Sequence, residues 1–188
     1  VTRPSARTLR NRHEQSHRHR RRSRHAEQYV SAGVNAISGA VNGILADPFA
    51  LYLKTKNFHW HVSGRHFRDY HVLLDEQADA IFATIDQLAE RVRKIGDVTI
   101  RSIGHIAKLQ TIIDNNESFV APREMLRELM EDNKQVGAAM RKAHELRDEY
   151  ADVATVSLLK NFIDETERRI WFLFEASREA GSYLQKIR

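Results

Sequence analysis

The sequence predicts an all-α fold: a four-helix bundle with one long crossover connection carrying a short helix, preceded by a disordered basic tail. Three observations carry that expectation. From residue 27 onward glycine is sparse and strand-like alternation is absent. In the second long segment Leu74, Ala78, Ile81, Ile85, Leu88, Val92 and Ile95 step by alternating fours and threes, the apolar seam of a bundle helix. Roughly 26 residues then separate the second segment from the third, too many for a simple up-down link, so the connection must cross the bundle.

The elements follow in order. Residues 1–26 are the tail and 27–188 the bundle domain. Within residues 1–25, Arg3, Arg7, Arg10, Arg12, Arg18, Arg20, Arg21, Arg22 and Arg24 stand against one acid, Glu14, which gives +8 and leaves −3 of the chain's +5 for the rest. With almost no apolar residue after Leu9, this segment cannot repay the entropy of ordering and is expected to be disordered in isolation. Dense cationic charge on such a segment suits non-specific binding of DNA phosphates by counterion release. An organellar targeting peptide, an acidic-lipid binder or a translated upstream region are the other readings, the last because the chain starts at Val1 and its first Met is Met125.

The first bundle helix is expected over about 27–62, with Asp47-Pro48 either an N-cap followed by Pro at N1 or a kink in one long helix. Ser63-Gly64 ends it. The second runs from about Phe67 to Lys94 and stops at Gly96; a short helix fits around SIGHIAKLQTI. Pro122 opens the third, to about Glu149, and the fourth fills roughly 152–180 with Asp152 as its N-cap.

Composition excludes several chemistries. The chain has no cysteine, so disulfides, thiolate nucleophiles and cysteine-ligated zinc or iron–sulfur centres are ruled out. At 188 residues, 41% apolar, it holds one well-packed domain. No apolar run approaching the ~18 residues of a membrane span is evident and no secretory signal precedes the body, so a cytoplasmic protein without a membrane partner is expected.

The second helix has two faces. With His71 at zero on a wheel of about 100° per residue, Asp75 falls near 40°, Asp86 near 60° and Glu90 near 100°, whereas the apolar seam centres near −70°. Phe82 and Ala89 lie within the polar stripe, and a mixed surface of this kind suits an interface. His71 and Asp75 form one i, i+4 pair, Asp86 and Glu90 another, both of donors suited to a divalent transition metal. Asp75 and Asp86 are about 16 Å apart along the axis, yet ligands of one ion sit about 2 Å from it. One copy therefore cannot join them. An antiparallel second copy, related by a two-fold axis near Ala80 and Ile81, would set one pair opposite the other and make two identical sites, with His59 as a further nitrogen donor. A di-iron site inside one bundle needs Glu-x-x-His pairs on two helices, but only Glu14 and His17 have that spacing.

The string KTKNFHWHVSG, then HF, H-x-x-x-D and D-x-x-x-E-R, resembles the signature of the Dps mini-ferritins, DNA-binding proteins from starved cells, and the likeness extends over about 30–180. It implies a ferritin-like bundle, a hollow dodecamer, inter-subunit ferroxidase centres, and Fe(II) oxidation by hydrogen peroxide or dioxygen with storage of ferric iron. Carried over by position, His59, His71 and Asp75 match the metal-binding and catalytic residues of one subunit, and Asp86 and Glu90 those of its mate. Trp60 matches the family's site-proximal tryptophan, although simple packing also explains it. Asp148 and Asp152 match the region lining three-fold iron pores, although alone they read as a helix end and an N-cap. Trp171 is expected in the core, and His61 and His66 exposed or hydrogen-bonded.

This reading gives a cytoplasmic, nucleoid-associated ferroxidase that protects DNA. Two rivals stay open: an iron-storage cage without DNA binding, and a nucleoid-structuring protein with a vestigial metal site.

Overall fold

The computed structural model describes the backbone of residues 6–145 and 152–178, with side chains over 33–144 and 152–178. Among the described residues there are helices and no strands. α1 spans Ala6–His61, α2 Phe67–Lys94, α3 Ile103–Leu109, α4 Pro122–Glu145 and α5 Val153–Ser177.

Local chemistry sets the boundaries. Gly96 takes φ +98, which only glycine adopts without strain, and α2 closes there. The Gly96 amide donates to the Arg93 carbonyl at 3.1 Å and the Asp97 amide to the Val92 carbonyl at 3.2 Å, a Schellman closure. Ser102 caps α3 by accepting from the His105 amide, and Asp152 caps α5 by accepting from Thr155. Pro122 stands at the first position of α4, where its missing N–H costs nothing.

Cross-links fix the topology. His59 faces His71 while Ser38 reaches Asp97, so α1 and α2 are antiparallel. Tyr70 donates to the Ala176 carbonyl and Arg91 to Asp152, so α2 and α5 are antiparallel too. Arg123 reaches Ser177 and Arg141 reaches Glu167, which makes α4 and α5 antiparallel. α2 and α4 therefore run the same way, and residues 95–121 must return along the bundle, as the connector length predicts.

The α2 seam is buried as its spacing demands: Leu74, Ala78, Ile81, Ile85, Leu88 and Val92 join Leu45, Leu51, Phe58, Leu126, Leu129, Leu159 and Leu173 in one core. Polar groups inside this core mostly find protein partners. Lys54 pairs with Asp132 at 2.7 Å and Glu128 at 2.9 Å, and Arg169 donates to Asn133 and Thr166.

One open choice is settled and two expectations change. Of the two arrangements expected at Asp47-Pro48, the structure shows one long helix that runs through both residues. Val41, Ile44, Leu45, Leu51 and Phe58 bury one continuous face on both sides of Pro48, which outweighs one lost hydrogen bond. Trp171 is 60% exposed, because the α5 seam passes through Thr166, Arg169 and Leu173 and leaves Trp171 outside it. The segment Gly33–His61 is long and apolar enough to cross a membrane by length and composition, contrary to the sequence reading. Its apolar side chains nevertheless form the bundle core, beside buried Asp47 and Lys54.

Candidate functional site

α1 ends and α2 begins at one end of the bundle, and this hairpin brings His59 and His71 face to face. Their rings stack with centroids 3.7 Å apart and 20° between planes. His59 Nδ1 lies 2.8 Å from the His71 carbonyl, and His71 Nδ1 lies 2.9 Å from the His59 carbonyl. A carbonyl can only accept, so each Nδ1 carries the hydrogen, and Nε2 is the nitrogen left to bind a metal when the ring is neutral. This reciprocal lock fixes both tautomers in the form that ligates metals.

Asp75 stands one helical turn beyond His71, with Oδ1 3.8 Å from His59 Nε2. Its other neighbour is Lys56, whose ammonium donates to the same carboxylate oxygen and also lies 3.9 Å from Asp79. The Lys56 hydrogen bond and charge hold the Asp75 carboxyl below its ordinary value, and Asp75 raises Lys56 in return. Sequence reasoning missed Lys56, although its place three residues before His59 puts both on one helix face. The carbonyl locks had no sequence signal, since they link two helices through backbone atoms.

Asp86 and Glu90 lie farther along α2 and are exposed. Glu90 pairs with Lys94 at 2.6 Å, and the Lys94 hydrogen bond holds its carboxyl below the usual range. Between the two polar pairs Phe82 is 56% exposed and leans on Tyr52, with ring centroids 5.1 Å apart. Among the described residues no three His, Asp or Glu side chains gather around a common metal position. The structure stacks His59 on His71 and sets Asp75 3.8 Å from His59, and it leaves Asp86 and Glu90 apart from them, as the axial distance requires.

The other predicted residues divide clearly. Trp60 is 61% exposed beside the site, and His61 and His66 are exposed, His61 Nδ1 bonding the Asn57 carbonyl at 2.8 Å. Asp152 accepts from the Thr155 amide and hydroxyl and pairs with Arg91 at 2.7 Å. Burial pushes its carboxyl up, but the Thr155 and Arg91 bonds outweigh that and lower it overall. Asp148 lies outside the described residues, as do Arg3 and the side chains of the other tail arginines.

Residues 39–179 match the ferritin-like domain family. A DNA protection during starvation protein of Halobacterium salinarum is 32% identical over 128 residues, which cover 68% of this chain and 70% of that protein. The chain belongs to the Dps family. A further Dps relative, DNA protection during starvation protein 1 of Deinococcus radiodurans, is 31% identical over 129 residues, 69% of this chain and 62% of its own. The solved structure of DpsC from Streptomyces coelicolor superposes with a TM-score of 0.77 at 27% identity, over 79% of this chain and 87% of that one. The ferritin-like match begins at residue 39. The arginine-rich segment therefore lies outside the part that makes this a Dps chain, and its role has to be argued from its own charge.

Proposed function

We propose that this chain oxidises Fe(II), with hydrogen peroxide or dioxygen as oxidant, at centres shared between two copies, and stores the ferric product inside a hollow dodecamer. The observation that carries the reading is the locked His59–His71 pair, which aims Nε2 of His59 toward the Asp75 carboxylate on the face of α2 that also bears Asp86 and Glu90. Nitrogen and carboxylate donors without thiolate suit iron as a substrate. In this reading His59, His71 and Asp75 of one subunit meet Asp86 and Glu90 of its mate. The carboxylates bind and neutralise the cation, and Lys56 keeps Asp75 ionised until iron replaces it. Few protein ligands leave positions for the oxidant. One hydrogen peroxide takes one electron from each of two Fe(II) ions and, with two protons, leaves as two waters. Consuming peroxide and Fe(II) together removes a source of hydroxyl radical, which protects DNA.

The deciding experiment follows ferric absorbance after Fe(II) and peroxide are mixed with the Asp86→Ala, Glu90→Ala double variant. Oxidation falls by at least about tenfold, the scale on which even outer partners of a metal site act. A rate equal to the parent's ends the assignment.

The reading extends to the tail, which binds DNA non-specifically in the cytoplasm and associates the cage with the nucleoid. Arg-dense composition supports it, whereas a body carrying −3 repels phosphate. Gel-shift titrations of the full chain against one lacking residues 1–25, at two salt concentrations, test this. Equal binding by both chains refutes the tail, and salt-insensitive binding refutes the phosphate mechanism. Either result leaves the ferroxidase reading intact.

A further inference from the structure

Between α2 and α5 lies a cleft of about 270 Å³, bounded by Glu76 and Ala80 on one helix and by Glu165, Arg168 and Phe172 on the other. With His71 at zero on the α2 wheel, Glu76 falls near 140° and Ala80 near 180°, clear of the stripe up to about 100° that bears Asp75, Asp86 and Glu90. The cleft is therefore separate from the proposed iron site.

Two further side chains that line it are buried and incompletely bonded. Arg169 is 6% exposed and Gln77 5%. Arg169 donates from Nε to the Asn133 side-chain oxygen at 2.9 Å and from Nη2 to the Thr166 hydroxyl at 2.7 Å. Both acceptors are neutral, and Glu165 pulls on the guanidinium only through space. Among the described residues, Arg169 Nη1 has no partner, and neither has Oε1 of Gln77, whose Nε2 donates to the Arg169 carbonyl at 3.3 Å. Burial pushes the guanidinium down to about 10, as it does for a cation desolvated without a counter-charge.

A ligand that completes both atoms must accept from Nη1 and donate to Oε1. One water does so, yet it leaves the buried charge uncompensated, and the cleft has room for about nine at ~30 Å³ each. An oxyanion supplies the missing negative charge. It must also bring a hydrogen for Gln77, and the Glu76 and Glu165 carboxylates beside it can only accept. Phosphate keeps at least one proton near neutral pH, whereas sulfate keeps none.

We propose that this cleft binds inorganic phosphate, with Arg169 Nη1 donating to one oxygen and Gln77 Oε1 accepting from the P–OH group. Both protein atoms are covered from solvent, so binding requires part of the wall to move. Arg168 is the side chain with the most freedom to do so: it is exposed, stacks over Phe172 at 5.3 Å from the ring centroid, and brings a second cation.

Equilibrium dialysis of radiolabelled phosphate against the full, iron-free chain tests this. A constant excess of sulfate occupies the arginine-rich segment and any site indifferent to the ligand's proton. Phosphate should still bind, at one site per chain. Arg169→Gln removes the charge, and Gln77→Leu removes the acceptor while leaving the guanidinium. Each should weaken phosphate at least about tenfold, the loss that follows removal of a charge-assisted or buried hydrogen bond. Circular dichroism identifies the variants that keep the parent's helix, and if Arg169→Gln fails to fold, Gln77→Leu decides alone. No phosphate retained by the parent overturns the proposal and leaves water as the occupant. Undiminished binding by a folded variant overturns it too, because the ion then sits elsewhere. Displacement by adenosine monophosphate as effective as by unlabelled phosphate overturns the free ion as the ligand. The Fe(II) oxidation reading stands apart from every one of these results.

Discussion

Individual side chains in this bundle are fixed by what would be left unpaired without them. Lys54 is buried on α1 and its ammonium lies between Asp132 and Glu128 of α4. Burial pushes the Asp132 carboxyl up against the opposing pull of Lys54. Replacing Lys54→Met strands a buried carboxylate and should cost about 3–5 kcal/mol, read from urea denaturation. Adding Asp132→Leu should recover most of that loss, since an apolar pair of similar volume replaces an ion pair at little cost. No recovery in the double variant would mean that Lys54 acts through packing alone. Asp152 has the opposite pH behaviour from Asp132. Its carboxyl is lowered in the folded state, so its stabilisation is complete above the ordinary value of 3.8 and is lost as pH falls through the lowered one. Asp132 is raised, so the folded state holds that proton more tightly and stability declines as pH climbs from 3.8 through the raised value. Urea midpoints of Asp152→Asn should therefore change less than the parent's below about pH 4, and an identical acid limb would remove Asp152 from the account.

The helices and their connector show which parts of the fold a sequence can reveal. α2 was legible because period encodes face: the steps from Leu74 to Val92 name the buried seam and, by exclusion, the stripe bearing His71, Asp75, Asp86 and Glu90. Gly96 and Pro122 were legible because their backbones allow few alternatives. Asp47 was not, since its partners lie more than sixty residues away. With Pro48 it read as a helix cap or a kink in one long helix, whereas its buried carboxylate accepts from the Thr111 amide and hydroxyl and the Ile112 amide, pinning the crossover connection to α1. Trp171 misled for a related reason, because IWFLF, residues 170–174, is apolar throughout and only packing decides which of its side chains turn inward. The pin on the connector has a measurable strength. Asp47→Ala removes a charged acceptor from buried amides and should cost about 2–4 kcal/mol. The Ile112 amide should lose its protection from hydrogen exchange while the Leu88 amide, in mid-α2, keeps its own. Equal loss at both sites would show global unfolding rather than release of the connector.

At the scale of the assembly, the decisive property of the proposed centre is that no single chain would hold its whole ligand set. The His59–His71 lock and Asp75 belong to the α1–α2 hairpin, and Asp86 and Glu90 sit about three to four turns farther along α2, too far to share an ion with them. In the proposed isologous pair of subunits there are two centres, each with the hairpin of one chain and the carboxylates of the other. That symmetry allows a test by mixing. Let one chain carry Asp75→Ala and another carry Asp86→Ala with Glu90→Ala. Alone, each forms dimers in which both centres are broken. In a mixed pair, one centre takes the intact hairpin and the intact carboxylates and is whole, while the other collects all three substitutions. Random pairing from equal amounts makes half the dimers mixed, so about one quarter of all centres are restored. Refolding or co-expressing the two chains should bring Fe(II) oxidation to about one quarter of the parent rate, with each chain alone near background. If the centre lay within one chain, no mixture could rebuild it, and the rate would stay at the average of the two defective parents.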